Sequence, residues 1–173
     1  MLALLILFFS VFQDAKWINF QSDYGKFSLE IPDWPREDKQ FIPTPNGDLI
    51  SHIYTLDLSE KKLHEQAYLV SFTEFPPHII HSDKTHLHDQ FFENSMNGSA
   101  VNVGGKDLSS STISHGKYPG REFVVSLPTQ NQFIHQRLYL IKNRTYMLQV
   151  VTSTNRSETS DMKKFFNSFQ STE

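Results

Sequence analysis

Cysteine is absent from the 173-residue sequence, which excludes disulfides, thiolate catalysis, zinc fingers, iron–sulfur clusters and a lipid-modified N-terminal cysteine. Neither sign of charge is in large excess, because the formal net charge is only −3. This balance excludes a broad electrostatic footprint for nucleic acid or an anionic membrane. No apolar run reaches the roughly 20 residues that a membrane-spanning helix needs.

Signatures of known catalytic sites are also missing. The sequence has neither the Gly-x-Ser-x-Gly elbow of a hydrolase nor a Gly-x-Gly-x-x-Gly turn. His64-Glu65 lacks the second histidine of a zincin, and Gly104-Gly105-Lys106 lacks the spacing of a phosphate loop. Ser111 and His115 share one face of a predicted strand, but Ser/Thr runs are ordinary on sheet edges. We therefore expect a chain that is not an enzyme and carries no cofactor.

Phenylalanine is abundant, with 15 residues, and aromatic residues make up 13% of the chain. Hydrophobic residues at 38% and charged residues at 20% are typical of a globular domain rather than a disordered one. A chain of this length suits a single domain that buries roughly 70% of its unfolded surface. The composition therefore predicts one domain with a phenylalanine-rich core.

The first residues have the pattern of an export signal. Residues 2–12 form an apolar run with one hydroxyl and no charge, and the polar stretch Gln13-Asp14-Ala15-Lys16 follows at once. We expect a signal peptide over residues 1–15, a single domain over residues 16–173, and a product exported to a periplasm or secreted. The alternative is that the run forms a buried strand or helix of the domain.

Alternating apolar residues predict several short strands, and two segments have helical spacing instead. One helix is expected over residues 83–97, and a second, capped by Ser157 or Ser160, carries an apolar stripe near the end of the chain. Two long strands over residues 133–141 and 145–152 form a predicted hairpin with apolar side chains on both faces, so both faces must be covered. We expect an α+β fold, a largely antiparallel sheet flanked by helices on both faces in a three-layer sandwich. The second helix's stripe consists of Met162, Phe165, Phe166 and Phe169.

The order of these segments resembles the Mog1/PsbP-like superfamily, in particular small exported bacterial proteins of unassigned function. The resemblance extends from about Trp17 to Phe169 and includes an opening strand that ends at Pro32, the corner Tyr118-Pro119-Gly120 and the final Phe-rich helix. It implies an antiparallel sheet flanked by helices. It also implies a module for binding or assembly, without carrying over a functional residue or a named partner.

Histidines between residues 78 and 88 are the candidate metal ligands, because imidazole binds zinc, copper and nickel. On a helix that starts near Asp83, His86 and His88 are about 200° apart and cannot share one ion. His78 and His81, in the loop before the helix, could converge with His86. The alternative is that these are surface histidines at the start of a helix and bind no metal.

A proline-rich loop offers the candidate partner-binding surface. Trp34 lies between two prolines, and Phe41 and Ile42 follow on the same segment. An exposed tryptophan can anchor a protein partner, or it can be a lid over the open end of the sheet. Arg121 and Glu122 point to opposite faces of their strand, where they form either a polar pocket or a corner held by side-chain hydrogen bonds.

The sequence thus favours a non-enzymatic, exported module for binding or accessory assembly, with an unknown protein partner. We expect a monomer with no nucleic-acid partner and no membrane span in the mature chain. One alternative is a metal-binding protein that uses His78, His81 and His86. The other is a small-ligand carrier or hydrolase with a pocket between sheet and helix.

Overall fold

The structure is a computed structural model that describes residues 17–44, 47–61, 63–153 and 158–173. The expected signal peptide, residues 1–15, lies outside the described residues. In chain order the strands and helices are β1 (Ile18–Ser22), β2 (Phe27–Ile31), β3 (Arg36–Ile42), β4 (Leu49–Asp57), β5 (Glu65–Glu74), α1 (His88–Asn102), β6 (Lys106–His115), β7 (Tyr118–Leu127), β8 (Gln132–Ile141), β9 (Arg144–Thr152), α2 (Ser160–Asn167) and β10 (Gln170–Ser171).

The strands form two sheets, and every pair of neighbouring strands is antiparallel. The large sheet has seven strands in the order β3-β4-β5-β9-β8-β7-β6, and the small sheet has three in the order β1-β2-β10. The predicted hairpin is confirmed: β8 and β9 are joined by Lys142 and Asn143, and Lys142 adopts the left-handed conformation that such a tight turn needs. The Ser-rich strand β6 lies at an edge, as its composition predicted.

The separate small sheet differs from the single sheet that the sequence pattern predicted. Phe27, Leu29 and Ile31 are almost fully buried, as the alternation in β2 required. Their strand, however, pairs with β1 and β10 and not with a strand of the large sheet. Period-two alternation determines which side chains face the core but not which strands share hydrogen bonds, so the pattern could not distinguish the two arrangements.

Buried side chains form two clusters, and consecutive residues of β8 and β9 belong to different ones. Tyr139 and Tyr146 belong to the first cluster, together with the apolar side chains of the small sheet and α2. Leu138 belongs to the second, which includes residues of α1 and β7, and the half-buried Met147 packs against it. The α+β class and the predicted phenylalanine-rich core are therefore confirmed.

Helix α2 is amphipathic, as predicted from its apolar stripe. Met162, Phe165 and Phe166 are buried, and the exposed Lys163 lies on the outer face. The cap differs from prediction: the hydroxyl of Thr159 accepts a hydrogen bond from the backbone N–H of Met162 at 3.1 Å. This is the ordinary geometry of a Ser/Thr cap, shifted by one position from the predicted Ser160. The other predicted cap, at position 157, lies outside the described residues.

Helix α1 begins five residues later than the predicted span 83–97 and extends to Asn102. A single 3₁₀ turn, Thr85–Leu87, precedes it, and the backbone N–H of Gly105 donates to the carbonyl of Ala100 just beyond its end. Within the described parts of the chain, neither helix combines the length and the apolar character needed to cross a bilayer.

A cluster of charges joins the two sheets near the end of β10. Lys142 Nζ lies 2.7 Å and Lys26 Nζ 2.8 Å from the carboxylate of Glu173. The buried guanidinium of Arg144 lies 3.7 Å from the same carboxylate and donates to the carbonyl of Gly25 at 3.1 Å. Hydrogen bonds from Lys142 and Lys26 lower the pKa of Glu173 to about 2. The cluster thus stabilises the fold whenever Glu173 is ionised.

Glu173→Gln should lower the free energy of unfolding at pH 7 by about 1 kcal/mol, because the two lysines are half exposed. The pKa of Glu173 is lower in the folded protein than in the unfolded chain, so this contribution is full above pH 4.5 and lost as the pH falls to about 2. Urea denaturation across that range measures it. Glu93→Gln, on the exposed side of α1, is the control with no expected effect. A deficit in Glu173→Gln that persists unchanged at pH 2 would contradict the assignment.

Candidate functional site

Strand β3 forms the edge of the large sheet, and all its side chains are exposed except that of Ile42, which is half-buried. Phe41 is 67% exposed and lies opposite Ile50 of β4 in the strand register. His52, two residues along β4 on the same face, packs against the exposed ring of Tyr24 with centroids 4.8 Å apart. We call Tyr24, Phe41 and Ile50 the edge patch, a group of exposed apolar side chains at one corner of the fold.

The predicted partner-binding residues do not share one surface. Trp34 is 68% exposed and precedes β3, whereas Phe41 lies near the strand's other end, about 23 Å away along an extended chain. The Trp34 ring contacts Phe20 edge-on at a centroid distance of 6.2 Å, so one part of it packs on the core and the rest faces solvent. Phe41 and Ile42 point to opposite faces, because consecutive residues of a strand alternate. Whether any of the three binds a partner stays a prediction.

On the opposite face of the same half of the sheet, a groove of about 450 Å³ runs between α1 and strands β3, β4, β5 and β9. Its floor includes a row of four uncharged polar side chains, one from each strand. The register places them side by side as Gln40, Ser51, Thr73 and Thr145. At the usual spacing of about 4.8 Å between strands, this row is about 14 Å long.

The side of α1 that faces the groove is uncharged and largely polar, and Phe91 is its apolar residue. Asn94, Ser95, Gly98, Ser99 and Asn102 all line it, and their spacing places them along one stripe of the helix. The helical spacing predicted the helix but not this stripe, because a stripe of Asn, Ser and Gly is also typical of a solvent-facing surface. The signal that was available is Gly98, an unusual residue for the middle of a helix.

Gly98 has an ordinary helical backbone, and a Cβ atom added there would meet nothing within 4 Å. Neither the conformation of the chain nor close packing therefore requires glycine at this position. Glycine inside a helix costs about 1 kcal/mol relative to alanine. The fold tolerates this cost at a residue whose missing side chain leaves the groove open.

A buried amide lies directly behind the groove. Gln136 of β8 is 0% exposed, and its Oε1 accepts hydrogen bonds from Ser99 Oγ at 2.9 Å and Gln149 Nε2 at 2.5 Å. Ser99 and Gln149 both line the groove. The Nε2 of Gln136 has no partner among the described residues. The network fixes the orientation of two side chains that line the groove.

The candidate metal ligands do not converge. His78 and His86 are exposed, and His81 Nδ1 accepts a hydrogen bond from the backbone N–H of Asp83 at 3.2 Å. Across the described residues, no group of three His, Asp or Glu side chains is arranged to hold a metal ion. The geometry gives the metal alternative no support, and it stays a prediction from sequence.

Arg121 and Glu122 are held in side-chain hydrogen bonds, the second of the two arrangements considered for them. Arg121 donates to Thr112 Oγ1 at 2.5 Å and to Asp89 Oδ1 at 2.8 Å. Glu122 accepts from Arg137 Nε at 2.5 Å on the other face. Burial alone would lower the pKa of Arg137, but the hydrogen bond and charge of Glu122 raise it above its usual value. These side chains are occupied in structural pairs.

Ser111 and His115 do not form a nucleophile–base pair in this structure. They are four residues apart on β6, which separates them by about 13 Å along the strand. The ring of His115 packs against Phe169 and Tyr139 at centroid distances of 5.2 and 5.6 Å. This burial lowers the pKa of His115. The histidine therefore serves as a packing residue.

Comparison with solved structures identifies a similar fold. The solution structure of cyanobacterial PsbP (CyanoP) from Synechocystis sp. PCC 6803 aligns with a TM-score of 0.54 and 12% sequence identity. The alignment covers 91% of this chain and 93% of that one. No protein-family model and no curated protein matches the sequence. The chain therefore has a PsbP-like fold, as the order of its segments indicated.

Gly98→Ala should raise the free energy of unfolding by about 0.5 to 1 kcal/mol, because alanine favours the helix and its Cβ has free space. Chemical denaturation of both proteins measures the difference. Gly105→Ala is the matched control: its Cβ would approach Val125 Cγ1, and the carbonyl of Ser126 at 2.7 Å, so it should destabilise the fold. If Gly98→Ala were as destabilising as Gly105→Ala, Gly98 would have a packing role after all.

Proposed function

We propose that this chain is an exported, non-enzymatic module that binds a protein partner in an accessory or assembly role. The observation that carries the proposal is the exposure of Phe41 and Trp34, each about two-thirds accessible, beside an edge strand. Large aromatic side chains are enriched among the residues that dominate binding energy at protein interfaces. In the edge patch, Ile50 and Tyr24 extend the apolar contact around Phe41.

The partner contacts side chains and does not add a strand to β3. Between Trp34 and Phe41 the edge carries Arg36, Glu37 and Asp38, with Arg36 and Asp38 3.8 Å apart. Charged side chains on an edge strand oppose the pairing of a further strand, which is how many proteins avoid aggregation. The binding energy therefore comes from the aromatic side chains that flank these charges.

A role without catalysis is supported by the hydrogen bonds of the largely buried Arg137, which serve packing. Arg137 donates to Glu122, Asn167 and Glu158, and its guanidinium lies 4.8 Å from the centroid of the Phe166 ring. Such multiply bonded groups hold α2 and β7 against β8 and are not free to move protons. We infer an accessory role on this ground, together with the binding mode that the superfamily resemblance implies.

The proposal includes the three-layer arrangement expected from sequence. It is supported by the buried clusters, because α2 and the small sheet contribute to one cluster and α1 to the other. The module is exported by a signal peptide over residues 1–15 and acts as a monomer. The support for export is the apolar run of residues 2–12 and the polar stretch behind it.

Phe41→Ser should abolish partner capture while changing the free energy of unfolding by less than about 0.5 kcal/mol, because the side chain is exposed. Tagged protein in its own host, chemically cross-linked and purified, measures capture, and urea denaturation measures stability. Val101→Ser is the matched control, since Val101 is 76% exposed on α1, away from β3. Trp34→Ser extends the test to the other end of the strand.

Equal recovery of the same partner by wild type and Phe41→Ser would refute the role of the edge patch. Purification of the native protein as a free monomer with no associated species would refute the binding module itself. A folding defect in Trp34→Ser with normal capture would make Trp34 a lid on the core, in contact with Phe20, and not an anchor.

Export predicts a defined mature N-terminus. Protein isolated from the host envelope or medium should begin at about residue 16, since cleavage is expected after residue 15. Mass spectrometry of the intact protein measures this directly. Replacing Leu4 and Leu5 with Arg should retain the full-length chain in the cytoplasm, because charges disrupt the apolar region of a signal. A full-length chain in the cytoplasm of the wild type would contradict the proposal.

A further inference from the structure

The groove between α1 and the sheet is distinct from the edge patch, since it lies on the other face of strands β3 and β4. Its volume of about 450 Å³ is within the usual range for sites that bind small molecules. Among the described residues that line it, none is Asp, Glu, Lys, Arg or His. The lining instead combines hydroxyl and amide groups with apolar side chains.

The absence of ionisable groups from this lining restricts the charge of a ligand. A carboxylate, phosphate or ammonium group in the groove would lose hydration without gaining a countercharge, which is costly. A purely apolar ligand, such as an acyl chain, would match the apolar part of the lining but would leave the exposed amide of Gln40 without a hydrogen-bond partner.

Hydroxyl and amide side chains both donate and accept hydrogen bonds. A ligand rich in uncharged hydroxyls has the same double capacity and complements a row of them about 14 Å long. The rings of Phe75 and Phe91, 5.9 Å apart, line the same groove and offer an apolar surface for the C–H groups of a sugar ring. These features together match a neutral carbohydrate.

Two features of the walls support a binding role for the groove. Gly98 keeps the wall of the groove open at a position where neither packing nor conformation requires glycine. Behind the lining, the Oε1 of the buried Gln136 orients Ser99 and Gln149, which both line the groove. We propose that this groove binds a neutral oligosaccharide of about three sugar units through the hydroxyl and amide side chains of its floor and of α1.

The test is a titration followed by ¹H–¹⁵N NMR, with neutral trisaccharides of glucose, galactose and N-acetylglucosamine as separate probes. At least one should shift the backbone amides of Gly98, Ser99 and Thr73 with a dissociation constant below about 10 mM. The comparison probes are trigalacturonate, a charged trisaccharide of similar size, and the peptide Ser-Gly-Ser with both termini capped. Both should leave these amides unchanged.

Gly98→Trp should weaken saccharide binding by at least about tenfold, because the indole fills the groove. Asn97→Trp is the matched control, as it places the same bulk on the exposed side of α1 and should bind within about twofold of wild type. The dispersion of the NMR spectrum reports whether each variant is folded. Thr73→Val, which removes one floor hydroxyl at constant shape, is the second test and should weaken binding about fivefold.

The proposal is overturned if no neutral trisaccharide shifts the groove amides, if Gly98→Trp binds as well as wild type, or if Thr73→Val binds unchanged. Equal binding of trigalacturonate would refute the argument from charge, and preferential binding of the capped Ser-Gly-Ser would assign the groove to peptides instead. Phe41→Ser should bind the saccharide normally, so a failure here is distinguishable from a failure of partner capture at the edge patch.

Discussion

A helix about 10 Å across cannot cover a sheet of seven strands, which spans about 29 Å from edge to edge. Helix α1 has 15 residues and packs mainly against β6 and β7, at one side of the sheet. On the same face of β3, β4 and β5, α1 therefore forms only one wall of an open groove and does not cover the strands completely. The groove, and the exposure of Gln40 on this face of β3, follow from this mismatch of widths.

The small sheet covers the opposite face of the large sheet. Phe27 of the small sheet is 1% exposed and packs against aromatic rings of β4, β5 and β9, with centroids about 6 Å away. Such an aromatic interface buries a large apolar area, which is the dominant source of stability in a single-domain protein. Because this face secures the fold, the side chains under the groove on the other face can be polar, as Ser51 and Thr73 are.

The sequence predicted those features that the periodicity of apolar residues determines. The stripe of Met162, Phe165 and Phe166 identified α2, and alternation identified the buried residues of β2 and the β8–β9 hairpin. It could not assign β2 to a separate sheet, since hydrogen-bond partners are not written in an alternating pattern. The PsbP-like fold was accessible only through resemblance, which depends on the whole order of segments.

The candidate sites were less predictable, because they depend on what the fold fails to cover. Trp34 and Phe41 are exposed, but Ile50 looked like one more core residue of β4 until its place at the uncovered corner was known. Oxidation of Met147 and Met162, two of the chain's four methionines, by hydrogen peroxide tests the openness of the groove face most directly. Met147 lines the groove and Met162 is fully buried, so Met147 should oxidise at least about tenfold faster, as peptide mass spectrometry would show. Equal, slow oxidation of both would mean that this face is covered and the account is wrong.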